Sequence, residues 1–307
     1  MNKDRKLNLI GQLLLLLATI AWGSSFVILK KTIEDVPGFF VIGIRFCMAG
    51  IIMVGIFFKK VIKINKTALI QGCVLGVTVA LAYFTQTWGL KYTTPSRNAF
   101  LTALYCILCP FICWIFLKRK PKIYNLISAV LSIVGIGLIS LSGQKGGGTN
   151  LLLGDGLTLV CAVFYSLQII FIDKYQGAGT DTLQLITVQF FVVGVILLGL
   201  SACLELPVSG LQAYKMNGEQ WGKVLYLTFA CTLFAQGAQM FGQRYTSPNQ
   251  SAIILSLEAV FGMVFSLILG DEVLTLPLGI GFGIIFVSIM ISELKFNPAK
   301  LFKRNKQ

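Results

Sequence analysis

Apolar residues do not alternate with polar ones along this chain; they gather in ten long runs separated by short stretches where lysine, arginine, glycine and asparagine collect. The runs cover approximately 9–29, 37–58, 68–90, 98–117, 123–142, 152–172, 183–204, 224–243, 249–270 and 274–292. Each is close to the ~20 residues with which an α-helix crosses a hydrocarbon core of about 30 Å. Lipid offers the backbone no hydrogen-bond partner, so the pattern predicts helices, which satisfy their own N–H and C=O groups. The expected fold class is an all-α integral membrane protein with ten transmembrane helices. The first run is too long for a signal-peptide core and has no small-residue cleavage site, which predicts a retained helix. No soluble module is expected: the polar stretch near Glu205–Lys223 has the length of a short loop or surface helix, and Gly146–Gly148 reads as a linker.

The chain also repeats itself. Gln86-Thr-Trp-Gly89-Leu-Lys91-Tyr92-Thr93-Thr94-Pro95 returns 153 positions later as Gln239-Met-Phe-Gly242-Gln-Arg244-Tyr245-Thr246-Ser247-Pro248. Seven of the twenty positions that start at Gln86 and Gln239 are identical. The expected organisation is one five-helix unit written twice, residues 1–145 and residues 146–307.

Composition agrees with a membrane protein, since 56% of residues are hydrophobic and 12% charged, against roughly 25% charged in soluble domains. With the N-terminus inside, loops on the inner side receive 18 of the 26 Lys and Arg and those on the outer side seven, Lys30, Lys31, Lys91, Arg97, Lys145, Lys215 and Lys223. The positive-inside rule then predicts that both termini are cytoplasmic. The net charge of +14 is spread over these loops with no aromatic-rich soluble module, which favours topology and anionic lipid over nucleic acid as its explanation. Five helices per half is an odd number, so the halves are expected to be inverted. Tyr92, Thr94 and Pro95 would then face outside and Tyr245, Ser247 and Pro248 the cytoplasm, one candidate gate at each mouth. Pro95 and Pro248 suit a rigid turn at a helix start.

These residues resemble the drug/metabolite transporter superfamily, specifically its ten-helix EamA-type permeases. The resemblance is carried by Ala21-Trp22-Gly23-Ser24-Ser25-Phe26, by its weaker counterpart Val163-Phe164-Tyr165-Ser166, and by the proline turn followed by Ala99-Phe-Leu-Thr102. Leu255-Ser-Leu-Glu258-Ala259, leading to Leu269-Gly-Asp-Glu272, is similar to that family's ninth helix and following loop. Ala259 stands where the family often has proline, and Lys118-Arg-Lys where its first half often ends in Gly-Glu; these departures touch the subfamily rather than the fold. The resemblance implies a permease of the bacterial cytoplasmic membrane, often an exporter of amino acids, other metabolites or toxic compounds, with its site among helices 1, 3, 4, 6, 8 and 9 and with helices 5 and 10 peripheral.

Intramembrane ionisable groups are costly, by roughly 2.5–3.5 kcal/mol on insertion scales, and so mark candidate sites. Two are read as lying deep. Arg45 is about 12 Å from the outer end of its helix and Glu258 roughly 13–14 Å from the inner end of its own, which leaves them a few ångströms apart in depth. Either they are structural, as an ion pair or with Arg45 turned towards the outer headgroups and Glu258 capping neighbouring helices, or they bind substrate, Glu258 taking a proton or an ammonium and Arg45 a carboxylate. Tyr105 occupies the position in the first half that Glu258 occupies in the second. Trp22, Ser25, Tyr83, Tyr165 and Gln168 are further candidates that packing alone would also explain. Gln86, Gln236 and Gln239 are costlier to bury and rank higher as cavity or gate groups.

Other patterns point away from chemistry. Cys106-x-x-Cys109 has redox spacing but lies in an apolar helix, and a chain without histidine offers no mixed metal site, no Ser-His-Asp triad and no histidine relay. Gly279-x-Gly281-x-Gly283 follows no strand, and Gly72-x-x-x-Gly76 and Gly279-x-x-x-Gly283 suit helix packing or dimerisation. No phosphate loop is present, so ATP is not the direct driver. The expected function is therefore a secondary transporter, not an enzyme and without cofactor, that moves small metabolites by alternating access as a monomer or homodimer. Amino acids lead, with export favoured. Hydrophobic cationic drugs or toxic compounds are the alternative cargo, and a passive channel is the rival from another class.

Overall fold

The computed structural model describes residues 3–117, 120–141, 151–246, 251, 254–269 and 273–293. Every regular element among them is helical. The first half comprises α1 (Lys3–Ile33), α2 (Gly38–Val61), α3 (Lys66–Tyr92), α4 (Pro95–Ala103), α5 (Tyr105–Leu117) and α6 (Ile123–Leu141). The second comprises α7 (Leu151–Gly177), α8 (Thr182–Leu200), the short α9 (Leu206–Ser209), α10 (Gly218–Tyr226), α11 (Ala235–Tyr245), α12 (Glu258–Ile268) and α13 (Leu276–Glu293). Six continuous helical stretches, starting at Lys6, Gly38, Lys66, Leu151, Thr182 and Gly218, are long and apolar enough to cross a membrane. Three shorter apolar stretches, Ile123–Ile136, Ile254–Ile268 and Leu276–Ile291, accompany them. The linker glycines Gly146–Gly148 lie outside the described residues.

Local sequence sets several helix starts. The side chains of Asn65, Thr94 and Asp181 accept backbone N–H groups of the turns that follow them, and Asn217 forms a reciprocal capping box with Gln220. The start of α2 is met differently, because Pro37 has no capping side chain. Its free N–H groups are met instead by the buried Glu205, whose carboxylate accepts from Phe39 N at 3.1 and 3.0 Å and from Phe40 N at 3.2 Å. Glu205 belongs to a π-helical segment, Ser201–Glu205, and a second π-helical segment, Leu227–Phe234, joins α10 to α11.

The fourth apolar run is not one helix. It begins at Pro95 and breaks at Leu104, where φ −62° and ψ −11° tighten the chain and Leu104 N bonds to Leu101 O at 3.3 Å. Leu257, 153 positions on, shows the same break, with φ −65°, ψ −13° and Leu257 N on Ile254 O at 3.1 Å. Pro110 inside α5 removes one further backbone donor.

Packing respects the repeat. Helix α2 packs on α8 and α6 on α13, each with its own counterpart, while α3 packs on α7 as α11 packs on α1. Close backbone approach makes the last two crossings equivalent: a Cβ on Gly89 would lie 2.8 Å from Gly154 O, and one on Gly242 would lie 2.9 Å from Gly11 O. Gly89 and Gly242 are 153 positions apart, and Gly11 and Gly154 are 143 apart. Gly72 and Gly76 settle against Val188 and Val192 of α8, so that pair serves internal packing. Gly279 touches only Leu274 of its own half, and a Cβ on Gly283 would meet nothing within 4 Å. Large exposed hydrophobics such as Ile51, Ile56, Val130, Ile133, Val195 and Val287 cover the outer surface, as a lipid-facing bundle requires.

Candidate functional site

The two broken helices meet α1, α2, α3, α7 and α11 around a central cavity whose free space, counted to its open end, is about 590 Å³. All ten residues expected to bind substrate line it: Trp22, Ser25, Arg45, Tyr83, Tyr105, Tyr165, Gln168, Gln236, Gln239 and Glu258. The lining follows the repeat. Trp22 and Tyr165, Ser25 and Gln168, and Phe26 and Ile169 are pairs separated by 143 positions; Tyr83 and Gln236, Gln86 and Gln239, and Tyr105 and Glu258 are pairs separated by 153. The unmatched lining residues, Leu29, Arg45, Leu90, Asn98 and Thr102, all come from the first half. Neither α6 nor α13 contributes to the wall.

Arg45 and Glu258 do not pair. The buried guanidinium donates from Nη2 to Tyr83 Oη at 3.0 Å and stacks 5.0 Å from the Tyr83 ring and 5.3 Å from the Phe46 ring, a cation–π arrangement. Its Nε and Nη1 have no acceptor, and Glu258 Oε1 has no donor. Gln168 Nε2, Gln239 Oε1 and Asn98 Oδ1 are likewise buried and unpartnered. The structural ion pair expected as one alternative is thus absent: both groups line the cavity without bonding each other.

Other wall groups are fixed. Gln86 donates to Thr102 Oγ1 at 3.0 Å and accepts from Tyr165 Oη at 3.3 Å. Trp22 Nε1 donates to Cys231 O at 2.9 Å, tying α1 to the π-helical segment, and Ser25 Oγ donates to Trp22 O at 2.7 Å. The aromatic rings of Tyr83, Tyr165 and Tyr105 meet edge to face, with centroids 6.0 and 6.2 Å apart.

The described candidate gate residues, Tyr92, Thr94, Pro95 and Tyr245, stand apart from this wall. Thr94 and Pro95 are buried at the junction of α3 and α4, Tyr92 is half-buried, and Tyr245 is 37% exposed. Ser247 and Pro248 lie outside the described residues. A second void of about 370 Å³ shares Ile169 with the cavity and reaches Asp173, Gln176 and Gln243, toward the Tyr245 end.

One sequence expectation needs correction. Arg97, counted among outer-loop cations, is buried in α4 and bonded to Asp155, which is buried in the first turns of α7. The group of deep charges is therefore larger than Arg45 and Glu258, and it includes Glu205 as well. The pairing partner was invisible because Arg97 and Asp155 are 58 positions apart. Asn98 and Thr102 were missed as wall residues, although Asn98, Thr102 and Tyr105 follow one another at helical spacings of four and three, which puts both on the face of the candidate Tyr105.

Comparison with known proteins bears on this arrangement. Residues 9–141 and 152–294 each match the EamA-like transporter family. An uncharacterized transporter of Archaeoglobus fulgidus is 30% identical over 281 residues, covering 92% of this chain and 85% of that protein. The uncharacterized transporter YoaV of Bacillus subtilis is 21% identical over 286 residues, covering 92% of this chain and 96% of that protein. One solved crystal structure superposes with a TM-score of 0.67 at 15% identity, over 92% of this chain and 96% of that one, which shows a common fold.

Proposed function

The chain belongs to the EamA-like transporter family, and on that premise we propose that this multi-pass membrane protein is a secondary transporter of small zwitterionic metabolites, amino acids or related compounds. The observation that carries the reading is that Arg45 and Glu258 line one cavity with unpartnered polar atoms. An unsatisfied buried group costs about 1–3 kcal/mol and a charged one more. A solute with a carboxylate near Arg45 and an ammonium near Glu258 would relieve both, and Gln168 and Gln239 would hold its remaining polar edge. Transport rather than catalysis is the activity.

The mechanism is alternating access between halves 1–145 and 146–307, threaded in opposite senses as two sets of five spans. The exchange of contacts under the repeat and the matched wall pairs support it. Tyr92, Thr94 and Pro95 then gate the outer mouth, and Tyr245, Ser247 and Pro248 the inner. The setting is the bacterial cytoplasmic membrane, both termini cytoplasmic, with export as the working direction and a monomer or homodimer as the unit. A second reading, export of hydrophobic cations, draws on the aromatic wall of Trp22, Tyr83, Tyr105 and Tyr165 beside Glu258.

Counterflow in proteoliposomes against a panel of amino acids and of hydrophobic cations, with and without a pH gradient, tests both. Saturable exchange of amino acids at carrier rates is expected. Exchange of cations alone would select the second reading, and conduction far above carrier rates would overturn both in favour of a channel.

A further inference from the structure

The Thr93–Pro95 end of the cavity is held by a buried ion pair. At the Thr93–Pro95 end, Arg97 is 1% exposed, and it grips Asp155 of α7 along one edge: Nε donates to Oδ1 at 3.3 Å and Nη2 donates to Oδ2. Thr93 Oγ1 donates to the same Oδ1 at 2.8 Å. The carboxylate thus joins the end of α3, the first turn of α4 and the first turns of α7, beside the backbone contact of Gly89 with Gly154. Asn98, next to Arg97, lines the cavity and donates to Thr158 Oγ1 at 2.7 Å, so the ion pair borders the wall directly.

The sequence of the other repeat does not reproduce this pair. Adding 153 to Arg97 gives Gln250, which lies outside the described residues, and subtracting 143 from Asp155 gives Gln12, beside Gly11 at the Tyr245 mouth. Both are neutral amides by sequence. Gln12 spends its Nε2 on Asn8 Oδ1 of its own helix, at 2.7 Å. Next to that mouth lies the void that reaches Asp173, Gln176 and Gln243. Separating a buried pair leaves two uncompensated charges until water reaches them, whereas parting amides leaves none.

We propose that Arg97 and Asp155 are gate residues, the clasp of the Thr93–Pro95 mouth, and that this ion pair, which the sequence of the other repeat does not reproduce, sets the resting state as closed on the Arg97 side. This rests on the alternating-access reading. Each turnover must break the clasp once, and a substrate touching the free Oδ1 of Asn98 acts one residue away from it.

Hydrogen exchange on the full-length protein in nanodiscs tests the assignment. In the wild type, Thr93–Thr102 should exchange more slowly than the equivalent Thr246–Leu255; equal rates would overturn the proposal. The double variant Arg97→Gln with Asp155→Gln, which copies the residue types of the other repeat, should raise exchange at Thr93–Thr102 by about tenfold and leave α6 and α13 unchanged. The charge swap Arg97→Asp with Asp155→Arg should restore protection. No local rise in the double variant, or a rise spread evenly over all helices, would mean a structural bond and no clasp. If the double variant does not fold, the wild-type comparison and the swap still decide. Counterflow by the wild type separates this from the parent reading: carrier exchange without the expected protection pattern removes the clasp alone, and conduction at channel rates removes alternating access.

Discussion

Tyr105 and Glu258 occupy the same position of the two repeats, 153 residues apart, and both line the same cavity, each directly after a leucine that breaks its helix. The break is a property of the repeat, since Leu104 and Leu257 are identical in type and nearly so in backbone angle. The charge is not, because only the second half places a carboxylate there. Discontinuous helices at the midplane are a recurring way to present polar groups to a transported solute. A symmetric frame here carries an asymmetric site.

Glu258→Gln is expected to lower substrate flux more than about tenfold, the loss of a charged hydrogen bond worth ~1.5–3 kcal/mol in binding. Stability should not fall, because no cation pairs with Glu258 in the resting protein. Proteoliposome flux alongside the melting temperature in detergent checks this; full flux in the variant would remove Glu258 from the site.

Tyr83→Phe removes the only hydrogen bond the structure gives to Arg45 Nη2, while the cation–π contact survives. Affinity for carboxylate-bearing solutes should weaken by a few-fold, about 1 kcal/mol, with a rise in KM and little change in maximal rate. Arg45→Gln should be far more severe. Concentration dependence of counterflow for the two variants separates the cases.

How much of this was legible before the fold is a question about where each residue's partners lie. The helices and all ten wall candidates could be read from the chain, because a polar side chain on an apolar helix is costly in lipid and turns inward. The repeat was legible as well, since Gly89 and Gly242 keep the same close crossing in both halves. What stayed hidden depends on distant contacts. Neither Leu104 nor Leu257 is a proline or glycine, so nothing local announces the breaks. Arg97 and Asp155 sit near run ends, where charges normally reach water, and only the packing of α4 on α7 buries them. Glu205 lies in a stretch that reads as a loop, and its partners at Phe39 and Phe40 are 166 and 165 positions away.

Glu205→Gln tests that hidden cap. The carboxylate accepts three backbone contacts at the start of α2, takes Ser201 Oγ at 2.8 Å, and lies 3.5 Å from Lys91 Nζ. An anion at a helix N-terminus contributes about 0.3–1 kcal/mol and up to ~2 when partly buried. The variant should therefore melt earlier by a few degrees, with flux at saturating substrate largely kept, because none of these groups lines the cavity. A loss of flux at unchanged melting temperature would instead give Glu205 a part in transport.

Glycine substitutions test the helix crossings, and the expected signs differ by site. A Cβ on Gly23 would fall 2.4 Å from Phe261 Cβ and within 2.8 and 2.9 Å of backbone at Phe261 and Gly262, so α1 and α12 would have to part. Overpacking of this kind typically costs about 1–3 kcal/mol, and because α12 starts with Glu258 the cavity would widen beside the site. At Gly156 and Gly237 a Cβ meets nothing within 4 Å. Alanine there, inside α7 and α11, should stabilise by about 0.4–1 kcal/mol through a less flexible unfolded chain. Melting temperatures of Gly23→Ala, Gly156→Ala and Gly237→Ala in one detergent check the order, and a Gly23→Ala protein as stable as the other two would show that α1 and α12 do not approach as closely as the crossing at Gly23 requires.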